Sequence, residues 1–147
     1  MILVDANLLI YATMADLPQH TPSRDWLDER LNGSARVGIP WVSFVAFLRV
    51  TTNARVFRRP ASLADAWRRV ETWLDCPVTW IPSPTDRHRG VLAGLMPHAA
   101  SAPPLVHDAD LAALAIEHGL ELCSADGDFA RFPGLRWTNP LRNRAGL

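Results

Sequence analysis

Short apolar runs set between longer segments of helical periodicity organise this chain. Residues 1–4, 36–39, 78–81 and 120–123 are runs of about four mostly apolar positions, the length of a buried parallel strand. Residues 136–137 read as a further edge strand. Between them, a short helix begins near Ala6 and is broken at Asp16-Leu17-Pro18. A second takes Thr21 as its N-cap and Pro22 as its first helical residue, and ends at Asn32-Gly33. Pro40-Trp41 opens a third, with Trp41, Phe44, Val45, Leu48 and Thr52 on one face. The clearest helix covers 62–75: Ser62 and Asp65 form a short capping box, and Leu63, Ala66, Trp67, Val70, Trp73 and Leu74 follow the i, i+3, i+4, i+7 pattern. Residues 85–96 form a weaker helix, softened by Gly90 and Gly94 and stopped by Pro97. A loop over 98–104 leads to a helix at 108–118, which Gly119 ends, and 129–135 is a short turn or helix. Strands alternating with helices predict a parallel α/β sandwich.

At 147 residues and 48% hydrophobic, the chain fits one domain over 1–147, large enough to bury about 70% of its unfolded surface. The formal net charge is zero, so any nucleic-acid contact must come from a local patch rather than from bulk attraction. All 15 basic residues are arginine. Without lysine the chain is no P-loop NTPase, Schiff-base enzyme or kinase, each of which needs that amine at the reacting group. Cys76 and Cys123 stand apart and read as buried or semi-buried thiols of a reducing cytoplasm; a zinc site with His118 is the alternative. The N-terminus lacks the basic region of a signal peptide. The apolar run 37–48 is too short to span a bilayer.

Three carboxylates follow directly on, or lie close behind, apolar runs: Asp5, Asp108 and Asp126. Singly, each has an ordinary explanation, since Asp5 and Asp108 can cap helices and Asp126-Gly127 is a common turn pair. Together they are expected at one rim of one sheet, beyond the carboxyl ends of its strands, where α/β proteins bind ligands. Converging carboxylates raise one another's pKa unless a cation neutralises them. Oxygen-only ligands select Mg²⁺ or Mn²⁺ over Zn²⁺, and such a site suits phosphodiester hydrolysis by metal-activated water. An EF-hand is excluded, because the twelfth position counted from Asp108 is Gly119. Arg49, Arg55, Arg58 and Arg59 are candidate RNA-phosphate contacts or a solvated surface, with Phe57 among them as a stacking or core residue. Of the histidines, only His107, beside Asp108, is a candidate for the chemistry.

Val4-Asp5-Ala6-Asn7-Leu8-Leu9, His107-Asp108-Ala109-Asp110-Leu111-Ala112-Ala113-Leu114-Ala115, and Ser124-Ala125-Asp126-Gly127-Asp128-Phe129 followed by Phe132-Pro133-Gly134-Leu135-Arg136-Trp137 resemble the PIN-domain ribonuclease toxins of VapC type. The resemblance covers nearly the whole chain in the family's motif order. It implies a three-layer α/β/α sandwich with a central, mainly parallel sheet. It also implies a cytoplasmic Mg²⁺-dependent endoribonuclease, with Mn²⁺ able to substitute, inhibited by a cognate antitoxin, homodimeric and without a membrane segment. Asp5, Asp108 and Asp126 match the metal-site aspartates, Asp128 the additional catalytic acid, and Asn7 and Ser124 supporting positions. One departure stands out: where the family commonly has a glutamate shortly before the arginine matching Arg49, this chain has Ala46. Asp128, Asp110 or water would then replace that ligand. The departure motivates the alternative of a PIN-fold interaction module that binds an antitoxin-like partner without catalysis. A DxD-type phosphatase is disfavoured, because position 7 is Asn.

Overall fold

A computed structural model of the protein describes residues 1–142 and 144. Among these, five short strands form one sheet: β1 (Ile2–Val4), β2 (Val37–Gly38), β3 (Thr79–Trp80), β4 (Glu121–Cys123) and β5 (Trp137–Thr138). Their order is β3-β2-β1-β4-β5 and every pairing is parallel. Side chains alternate across the strands and so divide the core in two. Val4, Val37 and Cys123 pack with Leu8, Trp26, Phe44, Phe47 and Trp73, under helices α1 (Ala6–Thr13), α2 (His20–Leu31), α3 (Trp41–Thr51) and α4 (Leu63–Leu74). On the other face Leu3 and Leu122 pack with Leu95, Ala109, Ala113 and Phe129, under α5 (His88–Leu95) and α6 (Leu105–Glu117). The expected α/β/α sandwich is therefore present, with a sheet that is wholly parallel.

Several local expectations need correction. Helix α2 begins at His20, before Thr21, because a turn feeds into it: His20 N donates to Leu17 O, and His20 Nδ1 lies 2.9 Å from Tyr11 O. Pro22 is its third residue, where no intrahelical N–H is required. Helix α3 buries Ser43, Phe44, Phe47 and Thr51, while Trp41 and Val45 are 45% and 57% exposed. Its two buried hydroxyls found backbone acceptors, Val4 O for Ser43 and Phe47 O for Thr51, so hydroxyl residues took core positions that an apolar stripe would not assign them. On α4 the Ser62 cap is formed, accepting from Asp65 N at 3.1 Å, but Leu63 and Trp67 face solvent. Helix α5 starts only at His88, and a 3-10 turn at Met96–Ala99 follows it. Most consequentially, α6 starts at Leu105, three residues before the expected Asp108, so the apolar run leading into that acid is a helical turn.

The strand order places the site. From β1 the chain builds outward to β2 and β3, then returns to lay β4 on the other side of β1 and β5 beyond it. The order thus reverses between β1 and β4, the switch point outside whose carboxyl ends a ligand crevice opens.

Candidate metal centre

Asp5 ends β1 and Ser124 follows β4, and one hydroxyl ties them together. Ser124, fully buried, donates its proton to Asp5 Oδ2 at 2.7 Å and accepts from Asn7 Nδ2 and from Asp126 N, both at 3.0 Å. One donor and two acceptor positions are all that a serine hydroxyl has, so this side chain is saturated and fixes three neighbours at once. Asp5 Oδ1 accepts from Ala6 N at 2.7 Å and caps α1. Asn7 also accepts from Ala125 N at 3.4 Å. Asp126 caps the 3-10 turn Gly127–Arg131 by accepting from Asp128 N at 2.9 Å. The structural roles weighed for Asp5 and Asp126 are therefore real, and each leaves its residue at the rim.

Asp108 reaches the same rim from the fourth position of α6. Asp108, Asp126 and Asp128 offer carboxylate oxygens that all lie within 4.8 Å of one another, a group able to hold a metal ion. Asp5 stands beside this group. Burial, then the charges of Asp126, Asp5 and Asp128, push the Asp108 carboxyl up to about 6, with His107 pulling the other way. Burial likewise raises Asp5, and Asp126 adds to it, against the lowering hydrogen bonds from Ser124 and Ala6. Asp128 is more exposed and pairs with Arg131 at 3.1 Å. Four acids with this little compensation form an electrostatic well for a hard cation.

A cleft of about 340 Å³ opens on this rim, with Asp5, Asp108 and His107 on one side and Ser43, Ala46 and Arg49 of α3 on the other. Ala46 thus lines the same cleft as Asp5 and Asp108 and brings no carboxylate to it. Arg55, Arg58 and Arg59 are exposed in the connection after α3, and of the arginine cluster Arg49 is the one lining the cleft. The zinc alternative is not formed: Cys123 is in the core, and the acidic trio is the sole metal-compatible group among the described residues. Sequence reasoning overlooked Tyr11, whose phenol is raised by burial and by the charges of Asp5 and Asp126. Its position four residues after Asn7 puts both on one face of α1, and that spacing could have revealed it.

This fold, with acids at its switch point, is that of a known class: the chain belongs to the PIN domain family, whose match spans residues 2–135. It is 43% identical over 138 residues to Ribonuclease VapC37 of Mycobacterium tuberculosis, covering 94% of this chain and 96% of that one. With Ribonuclease VapC33 of the same species it shares 40% over 142 residues, or 97% and 99% of the two chains. Among solved structures, VapBC2 from Rickettsia felis bound to a promoter DNA fragment superposes with a TM-score of 0.67 at 14% identity, covering 95% of this chain and 98% of that one.

Proposed function

We propose that this protein is a divalent-metal-dependent endoribonuclease and the toxin of a type II toxin–antitoxin pair. The observation that carries the proposal is the approach of Asp108, Asp126 and Asp128 to within 4.8 Å, with Asp5 near enough to raise Asp108 further. The all-oxygen donor set suits Mg²⁺, with Mn²⁺ as a substitute. Asp5, Asp108 and Asp126 would hold the ion, and Asp128 would complete the acidic set where Ala46 supplies no carboxylate. The chemistry that a bound divalent cation supplies is Lewis-acid polarisation of a phosphate and activation of water. Ser124 and Asn7 keep Asp5 and Asp126 in register. Arg49 offers a guanidinium to an RNA phosphate inside the cleft, and Arg55, Arg58 and Arg59 extend that contact along the strand.

The relatives' names, and a similar fold in a toxin–antitoxin complex from Klebsiella pneumoniae, support a cognate antitoxin as partner; the cytoplasm is the compartment proposed for the pair. Exposed Trp41, Val42 and Val45 supply apolar surface for that partner or for a homodimer. No helix among the described residues is long and apolar enough to cross a membrane. Ala46 is what favours the catalytically silent alternative, but the retention of four rim aspartates argues against it. The deciding experiment incubates RNA with purified wild type and Asp108→Ala, in Mg²⁺, in Mn²⁺ and in EDTA. Cleavage by wild type that needs metal and disappears in the variant is the expected result. Intact RNA under every condition, with antitoxin still bound, selects the silent module.

A further inference from the structure

A second cavity, of about 320 Å³, lies on the same rim as the acids but on the other side of the switch point. Tyr11, Gln19, Ala125, Asn139, Leu141 and Arg142 contribute to its lining. The first cleft is walled by α3, which follows β2, whereas Asn139 directly follows β5. The two hollows therefore flank the strand ends that carry Asp5 and Asp126.

The second hollow has a chemistry unlike the first. Among the described residues none of its lining is acidic, and the one charged side chain is Arg142. That guanidinium lies over Trp137, 5.5 Å from the ring centroid, and Trp137 Nε1 donates to Ser124 O at 3.1 Å. The cation is thus linked through two contacts to the residue that organises the acids. Asn139 Oδ1 accepts from Leu141 N at 3.0 Å, which orients the amide, and among the described residues its two N–H donors have no partner. Tyr11 brings an aromatic ring and Leu141 an apolar side. An aromatic surface, a guanidinium and oriented amides are the groups that stack on a base and read its edge. Asn139, Leu141 and Arg142 all lie beyond residues 2–135, the part matched by the family.

We propose that this pocket is a nucleoside subsite, receiving one base of the RNA next to the phosphate held at the acids and setting which base is accepted there. The assignment builds on the nuclease reading, and direct binding tests it separately. The probes are the four ribonucleoside 5′-monophosphates, titrated in EDTA against the full chain and followed by amide NMR shifts at Ala125 and Asn139. At least one of them is expected to bind and shift these resonances, with affinity falling about tenfold in Arg142→Ala, as loss of one stacking contact implies. The same variant, and Tyr11→Leu, which removes the ring, should alter the base preferred beside the cut in an oligoribonucleotide with one randomised position. Nucleotide binding at Asn139 by a protein that cleaves no RNA would retain the subsite and remove the nuclease reading. A wild type that cleaves RNA while no monophosphate moves these resonances, or while both variants keep its base preference and KM, overturns the subsite.

Discussion

Helix α6 carries two groups of acids in opposite circumstances. Near its start Asp108 faces Asp126, Asp5 and Asp128, with His107 the one opposing charge to act on it. Along the same helix Asp110 and Glu117 share a single imidazole: His88 Nε2 lies 2.8 Å from Asp110 Oδ1, and Nδ1 lies 2.6 Å from Glu117 Oε2. Glu117 has a fully buried side chain, and its second oxygen accepts from Thr85 N at 2.6 Å. A buried carboxylate is stable when a cation and donors surround it. Burial of acids by itself is therefore no sign of function. What separates the two groups is that in the second one imidazole contacts both acids, whereas in the first only Asp128 has a cationic partner, Arg131, and Asp5, Asp108 and Asp126 have none among the described residues.

That contrast is open to attack, beginning where the effect should be largest. Asp5→Ala should lower RNA cleavage more than about 100-fold, since it removes negative charge from the ion's surroundings. Loss of the α1 cap should cost only about 1 kcal/mol, so the circular-dichroism spectrum should be unchanged. Cleavage at the wild-type rate would erase the distinction.

Glu117→Ala should do the reverse. It strands His88 and the Thr85 amide, and urea unfolding should show a loss of about 3 kcal/mol, while whatever protein remains folded keeps its metal requirement.

A smaller effect, of opposite sign, is expected for Asp108→Asn without metal. The folded Asp108 pKa is raised from 3.8 to about 6, so the favourable protonated form is fully present below 3.8 and is lost as pH rises through about 6. At pH 8 the neutral amide should stabilise the metal-free protein by about 1 kcal/mol, screened by water in the open cleft, and raise Tm by about 3 °C. The gain should fade below pH 6, and scanning calorimetry across pH reads it directly.

The smallest effect belongs to His88. Burial pulls its pKa down, but hydrogen bonds to Asp110 and Glu117 outweigh this and leave it raised above 6.5. Its contribution to stability is full below 6.5 and is lost as pH rises through the folded value. A thermal melt of His88→Gln should therefore approach that of wild type in alkaline buffer, and a gap that widens there would contradict the pairing.

Much of the scaffold was legible because its signals are local. The runs at β1 and β4 are mostly apolar, with Asp5 directly after the first and Asp126 three residues after the second, and the Ser62 cap with Ala66, Val70 and Trp73 defines α4 within a dozen residues. Errors arose where a distant partner overrode local preference. Ser43 sits in the core because Val4 O accepts its proton, and α6 extends back to Leu105 although the run before Asp108 resembles the approach to a strand end. His88 gave no sign in the sequence, since its partners lie 22 and 29 positions away.

The linear order of residues was enough to select the α/β class and to nominate Asp5, Asp108 and Asp126, because periodicity and motif spacing are carried by neighbours along the chain; the resemblance to the family added the missing acid at Ala46. Tertiary structure alone decided which acids approach within metal distance, that Ser124 ties Asp5 to Asp126, and that His88 compensates Asp110 and Glu117 while Asp108 of the same helix faces other acids. Electrostatic compensation depends on distance in space, and only the folded backbone sets that distance.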